Sequence, residues 1–181
     1  MFELSHLMAA TSIPPIVVWF RDDLRLSDHP ALHAASQTGA PLICLYVRDE
    51  SSGGRKARPL GGAARWWLAQ SLKALQASLQ AAGSTLVLRR GPAAETIAAV
   101  AQEIRASAVF WNDIAQGPQE AVAGEVTAAL TALGVGSQRF PGDLLVAPSD
   151  IRNKDGRGLR VFTPFWRRVQ RRLQDLGDPP A

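Results

Sequence analysis

The chain has 181 residues, 46% of them hydrophobic and 20% charged, with a formal net charge of +4. That length supports one domain with a real core, and the composition excludes a disordered or fibrous chain. The basic residues are arginine apart from Lys56, Lys73 and Lys154, which reads as a solvated surface with an arginine bias, with weak attraction to polyanions such as DNA as the alternative.

The first 15 residues, "MFELSHLMAATSIPP", read as a frayed leader. They lack the basic start and long apolar run of a signal peptide. The first strand is "IVVWF" (16–20), and charge is concentrated at its end in Arg21, Asp22, Asp23 and Arg25. A short helix follows over 29–37, with Asp28 placed to cap it, Pro30 in its first turn and His29 as a helix-start residue. The second strand is 41–47 and holds the single cysteine, Cys44, which reads as a buried and inert thiol.

A glycine-rich loop (51–62) leads to a long amphipathic helix over 63–83, closed by Gly83. The pairs Gly53-Gly54 and Gly61-Gly62 in that loop read as plain loop glycines that offer at most weak phosphate contact. At least one of Trp66 and Trp67 is expected in the core. The third strand is 85–90, the next helix 92–106 with Pro92 near its start, and the fourth strand 107–112. A helix over 118–134 precedes a fifth strand within 134–140. From 141 to 160 the chain is turn-rich, with "NKDGRG" as an exposed turn. Thr163 then caps a last helix with Pro164 at its first position, Arg167, Arg168, Arg171 and Arg172 along it, and Phe162, Phe165 and Trp166 as an apolar face.

Strand–helix alternation of this kind predicts an α/β fold: a doubly wound, Rossmann-like sheet of five parallel strands in order 3-2-1-4-5, with helices on both faces. Ligands of such sheets bind beyond the carboxyl ends of the strands, where the order reverses. The ends of the first, second and fourth strands bring Arg21, Asp22, Asp23, Arg48, Asp49, Asn112 and Asp113 to that edge as candidate ligand-binding residues. Their mixed signs suit a neutral or weakly charged polar ligand better than a bare phosphate. Neither a dinucleotide fingerprint, a P-loop nor a nucleophile elbow is present. His29 and His33 lack the further ligands a zinc site needs, so no metal and no catalytic residue is assigned. No apolar run reaches the roughly 20 residues of a membrane span, and a cytoplasmic protein is expected.

Three stretches carry a family resemblance. "VVWFRDDLRLSDHPAL" (17–32), "LGGAARWWLAQSLKALQASLQAAGSTLVLRRG" (60–91) and "VFTPFWRRV" (161–169) resemble, in order, segments of the first domain of the DNA photolyase/cryptochrome family. The resemblance implies a light-harvesting α/β domain over 16–147 and a linker and helix over 148–181 leading to a helical FAD domain that lies beyond this chain. In the family's repair enzymes, reduced FAD donates an electron to a flipped-out cyclobutane pyrimidine dimer under blue light. The first domain holds, in many members, an antenna chromophore: a folate, a deazaflavin or a flavin. UV-damaged DNA and the helical FAD domain are therefore the implied partners. On this reading the chain alone is not catalytic, carries no cofactor, and associates weakly with itself through its last helix.

Two departures from the family pattern bear on the antenna. A second arginine is usual where this chain has Asp22, and "WNDIAQGPQE" (111–120) keeps Asn112 without the family's aromatic–acidic pair. A cryptochrome-type photoreceptor, a stand-alone nucleotide- or small-ligand-binding α/β module, and an interaction domain with a vestigial pocket remain as alternatives.

Overall fold

The computed structural model describes residues 13–50, 60–114, 117–142, 144, 146–147 and 150–176. The glycine pair at 53–54 and most of the leader lie outside these residues. Five strands, β1 (Ile16–Phe20), β2 (Leu42–Arg48), β3 (Leu86–Arg90), β4 (Ala108–Asp113) and β5 (Gly136–Pro141), alternate with α1 (Pro30–Ser36), α2 (Gly62–Ala81), α3 (Ala93–Glu103) and α4 (Gly117–Ala132), and α5 (Phe162–Leu176) follows. All four strand pairings are parallel, and the order is β3-β2-β1-β4-β5 as predicted.

β1 is central and buried along its whole length because helices cover both its faces. That explains its unbroken apolar sequence, since a strand buried on both sides has no polar alternation. Val17 and Trp19 face α3 and α4, packing with Ile97, Val100, Trp111, Val126 and Leu130. Ile16, Val18 and Phe20 face α1 and α2, packing with Ala31, Ala35, Cys44, Leu75 and Leu79. Burial pushes the Cys44 thiol up to about 11, which keeps it protonated and unreactive at neutral pH.

Three local expectations are corrected. The cap of α1 is His29, whose Nδ1 accepts the Leu32 N–H at 3.1 Å. Asp28 instead takes a left-handed backbone conformation (φ 50) in the turn before the helix, one position too early to cap it. α5 begins at Phe162, so Thr163 lies inside its first turn and not at its cap. Trp66 and Trp67 are both exposed, at 62% and 69%. The buried residues of α2 are Leu75 and Leu79, in the half that lies on the sheet, and the tryptophans belong to the opening turns that carry no buried residue.

Gly83 ends α2 with φ +76, the left-handed closure its position in sequence predicts. Gly142, just past β5, has a different constraint: a Cβ there would collide with the Asn112 side chain. The edge of the fifth strand is therefore shaped to admit one residue of the fourth.

Leu130 is fully buried in the layer between α4 and the sheet. Leu130→Ala is expected to destabilise the fold by about 2–5 kcal/mol. Urea unfolding should show this as a lower midpoint with an unchanged slope.

Candidate functional site

Strand order reverses between β1, which continues to β2 on one side, and β4 on the other. The loop leaving β1 there is held by one carboxylate. Asp23 Oδ1 accepts the backbone N–H of Arg21 at 2.9 Å, and Oδ2 accepts Asn112 Nδ2 at 2.7 Å. His29 Nε2 lies 3.0 Å from the same Oδ2, in a short contact bent away from ideal hydrogen-bond geometry. With Nδ1 occupied as the α1 cap, the ring proton sits on Nε2 and faces the carboxylate. Asn112 uses its other end as well, Oδ1 accepting the Ala31 N–H at 3.0 Å. All three side chains are buried, and the His29 ring packs on Phe20 with centroids 4.7 Å apart. Burial raises the Asp23 pKa, but the His29 imidazole beside it and the hydrogen bonds from the Arg21 backbone and Asn112 outweigh it and hold the carboxyl below its ordinary value.

Arg21 turns to the opposite face of the sheet. Its guanidinium carbon lies 4.7 Å from the centre of the Trp19 ring, and Nη2 donates to Gln119 O at 2.9 Å and Gln119 Oε1 at 3.0 Å. Burial lowers the Arg21 pKa, and the nearby charges of Asp22, Asp113 and Asp23 offset part of that. Arg21 thereby seats the first turn of α4 on the rim.

The remaining predicted residues spread along the same edge. Asp49 Oδ2 accepts the Ala93 N–H at 3.0 Å, so it serves the first turn of α3. Arg48 pairs with Glu50 at 2.6 Å, and Glu50 also pairs with Arg90. Asp113 Oδ1 accepts Arg139 Nε at 2.7 Å, and the same guanidinium pairs with Glu120. Asp22 is exposed, and its charge reaches both Arg21 and Tyr46.

The seven residues thus divide by what their polar atoms do. Asp23 and Asn112 are joined directly, Arg21 joins them through its backbone, and Asp49 caps a separate helix. Asp22, Arg48 and Asp113 reach the outer rim. Three residues with a part in this architecture escaped the sequence reading. Gln119 and Arg139 carry no local signal, because their partners lie on other strands. His29 was visible only as a helix-start residue, and its contact with Asp23 depends on the turn at Asp28. Among the described residues no cluster of His, Cys, Asp and Glu could hold a metal ion.

Asn112→Ala strips the Ala31 N–H of its acceptor and Asp23 of a donor, both buried. A loss of about 3 kcal/mol or more is expected, from about 1–3 kcal/mol per buried group left unsatisfied, measurable by chemical unfolding. The depressed Asp23 pKa has its own signature. The folded state binds the proton less readily than the unfolded chain, so this stabilisation is complete above the unfolded value of about 3.9 and disappears as pH falls through the lower folded value. Asp23→Asn should therefore be less stable at neutral pH and show a flatter stability profile below about pH 4. Unfolding midpoints across the acid range check both.

The same architecture occurs in known proteins. A family model described as DNA photolyase matches residues 16–181. The chain is 42% identical over 156 residues to a deoxyribodipyrimidine photo-lyase of Agrobacterium fabrum, covering 86% of this chain and 32% of that protein. It is 35% identical over 153 residues to cryptochrome-1 of Arabidopsis thaliana, covering 84% of this chain and 22% of that one. The solved class III photolyase of Agrobacterium tumefaciens superposes with a TM-score of 0.79 at 40% identity, over 95% of this chain and 34% of that structure. The chain therefore spans about a third or less of the length of these relatives. Sequence and fold agree over the same residues, and the chain belongs to the DNA photolyase family.

Proposed function

We propose that this chain is the light-harvesting α/β domain of a deoxyribodipyrimidine photolyase, whose longer form splits cyclobutane pyrimidine dimers in UV-damaged DNA. The observation that carries the proposal is the 42% identity to a deoxyribodipyrimidine photo-lyase over 86% of this chain. In such a protein FAD, held outside this chain, supplies the light-driven electron transfer to the lesion. The chain itself would position an antenna and join the FAD-bearing region; alone it would be inactive.

The rim residues fit an antenna in a divided way. Asp23, Asn112 and Asp49 spend their polar atoms on the chain, so their proposed part is to fix the loops. Arg21 spends one guanidinium nitrogen on Gln119 and belongs to the same frame. Asp22, Arg48 and Asp113, on the outer rim, are the proposed contacts to a bound chromophore. Half-buried Tyr46, whose pKa is raised by burial and by Asp22, lies near Asp22 and Arg48. Asp22 puts a negative charge where the family usually has a positive one, which favours a ligand without an anionic group at that spot.

The apolar face of α5 has a proposed role as the contact to the FAD-bearing region. Phe162, Phe165 and Trp166 are exposed at 71%, 38% and 42%, and the Phe162 and Trp166 rings stack with planes 8° apart. Burying aromatic surface of this kind contributes roughly 1.5–3 kcal/mol per side chain. No helix among the described residues is long and apolar enough to cross a membrane, and the proposed location is the cytoplasm.

The similarity to cryptochrome-1 supports a second reading, a photoreceptor without repair activity. One assay separates them. A UV-irradiated thymine oligonucleotide is exposed to blue light with this chain alone and with the chain extended to the length of its relatives. Repair by the long form only, with the short chain colourless on purification, is the expected result. A long form that binds flavin but leaves dimers intact would favour the photoreceptor, and visible flavin absorbance in the short chain would show that the cofactor is held by this domain.

A further inference from the structure

The net positive charge of the chain lies in one stretch. Residues 150–176 hold eight of the 20 basic residues and three of the 16 acidic ones, an excess of five in a chain whose net charge is +4. Four of the eight, Arg167, Arg168, Arg171 and Arg172, are on α5. At about 100° per residue they fall within about 140° of the helix circumference, and Phe162, Phe165, Trp166 and Val169 fall within about 100° on the other side.

The apolar side is held by the protein at its middle, where Val169 is buried, and Arg172 at the edge of the stripe pairs with Asp150 at 3.3 Å. Arg167, Arg168 and Arg171 are exposed, and none has an acidic partner among the described residues. Like charges stand one turn apart, Arg167 with Arg171 and Arg168 with Arg172, and repel one another. The other four cations, Arg152, Lys154, Arg157 and Arg160, are exposed on the segment that leads from Asp150 to the helix. Asn153 fixes that segment, its Oδ1 accepting the N–H groups of Asp155 at 3.0 Å and Arg157 at 2.8 Å.

We propose that the arginine face of α5 binds the phosphate backbone of duplex DNA without regard to sequence or damage. The stripe is open and extended, with Arg167 and Arg171 about 6 Å apart along the helix axis, which suits a repeating anion better than a single small one. Guanidinium forks pair with phosphate oxygens. A lipid surface would take up the apolar side as well, and Val169 in its middle is already spent on the protein. A second copy of the helix would bring like charges together. The inference stands on the charge of this segment and does not depend on the proposed photolyase activity.

The test is fluorescence anisotropy of a labelled, undamaged duplex titrated with this chain in the dark. Binding that weakens about 40-fold between about 50 and 200 mM salt is expected, the response to roughly three neutralised phosphates. Each of Arg167→Gln, Arg168→Gln and Arg171→Gln should flatten the salt slope by about 1, and the three together should abolish it. A control with Arg65→Gln, Lys73→Gln and Arg105→Gln removes the same charge elsewhere and should leave the slope unchanged. Equal loss in the control reduces the effect to net charge and overturns the site, as does absence of binding at low salt. Tighter binding to phosphatidylserine vesicles than to the duplex, or displacement of the duplex by poly-glutamate at equal charge, also overturns the assignment to DNA. Should the triple variant not fold, the wild-type chain decides: the arginine Nε–H signals of α5 should shift on adding the duplex, and shifts confined to other arginines overturn the proposal. No lesion or light is used, so a negative result here leaves the photolyase reading untouched, and failure of dimer repair leaves this surface untouched.

Discussion

The Asp23 carboxylate is the interaction on which the rim of the sheet depends. One buried anion accepts from its own turn through Arg21, from β4 through Asn112, and faces the capping residue of α1, His29. An isolated carboxylate in that position would be strongly disfavoured. Its stabilisation therefore requires the loop after β1 and the start of α1 to meet β4, where Asn112 lies 89 positions along the chain. The network acts more as a condition on geometry than as a large source of stability, since desolvation offsets much of what the contacts contribute.

A second brace works on the other face of the same strand. Arg21 lies across Trp19 and holds α4 through Gln119, while Arg139 ties β5 to β4 and α4 through Asp113 and Glu120. Three helix N-termini at the carboxyl edge are thus held by a side chain from a strand end or its loop: α1 by Asn112, α3 by Asp49, α4 by Arg21. This is why the charge that follows β1 is so dense. Most of it is spent on fixing the frame of the crevice, and a smaller set of side chains is left at the outer edge.

The aromatic surface is distributed differently from the charge. Trp19 and Trp111 fill the core, while Trp66, Trp67, Phe162 and Trp166 stand in solvent on the opening turns of α2 and α5. Large exposed apolar groups gathered on helix faces are uncommon on isolated domains and mark surfaces that meet another body. Both sets lie within segments that resemble the photolyase family, in a chain that spans about a third of its relatives' length. The adjoining arginines of α5 keep the helix strongly two-sided, with cations away from the rings.

Sequence by itself determined the alternation of elements, the parallel sheet and its order, because burial on both faces writes an unbroken apolar run such as "IVVWF" and crossover chirality leaves few ways to connect such runs. It also located the rim, since charge directly after a buried strand has only the carboxyl edge to occupy. Tertiary structure alone decided how that charge is used. Asp23 meets Asn112 across 89 positions and Arg21 meets Gln119 across 98, and no local pattern encodes pairings of that range. The same limit explains Trp66, Trp67 and Asp28. Helical periodicity shows which residues share a face, and turn composition shows where a helix begins, but whether the face meets the sheet and which residue caps the turn are set by where the neighbouring elements end.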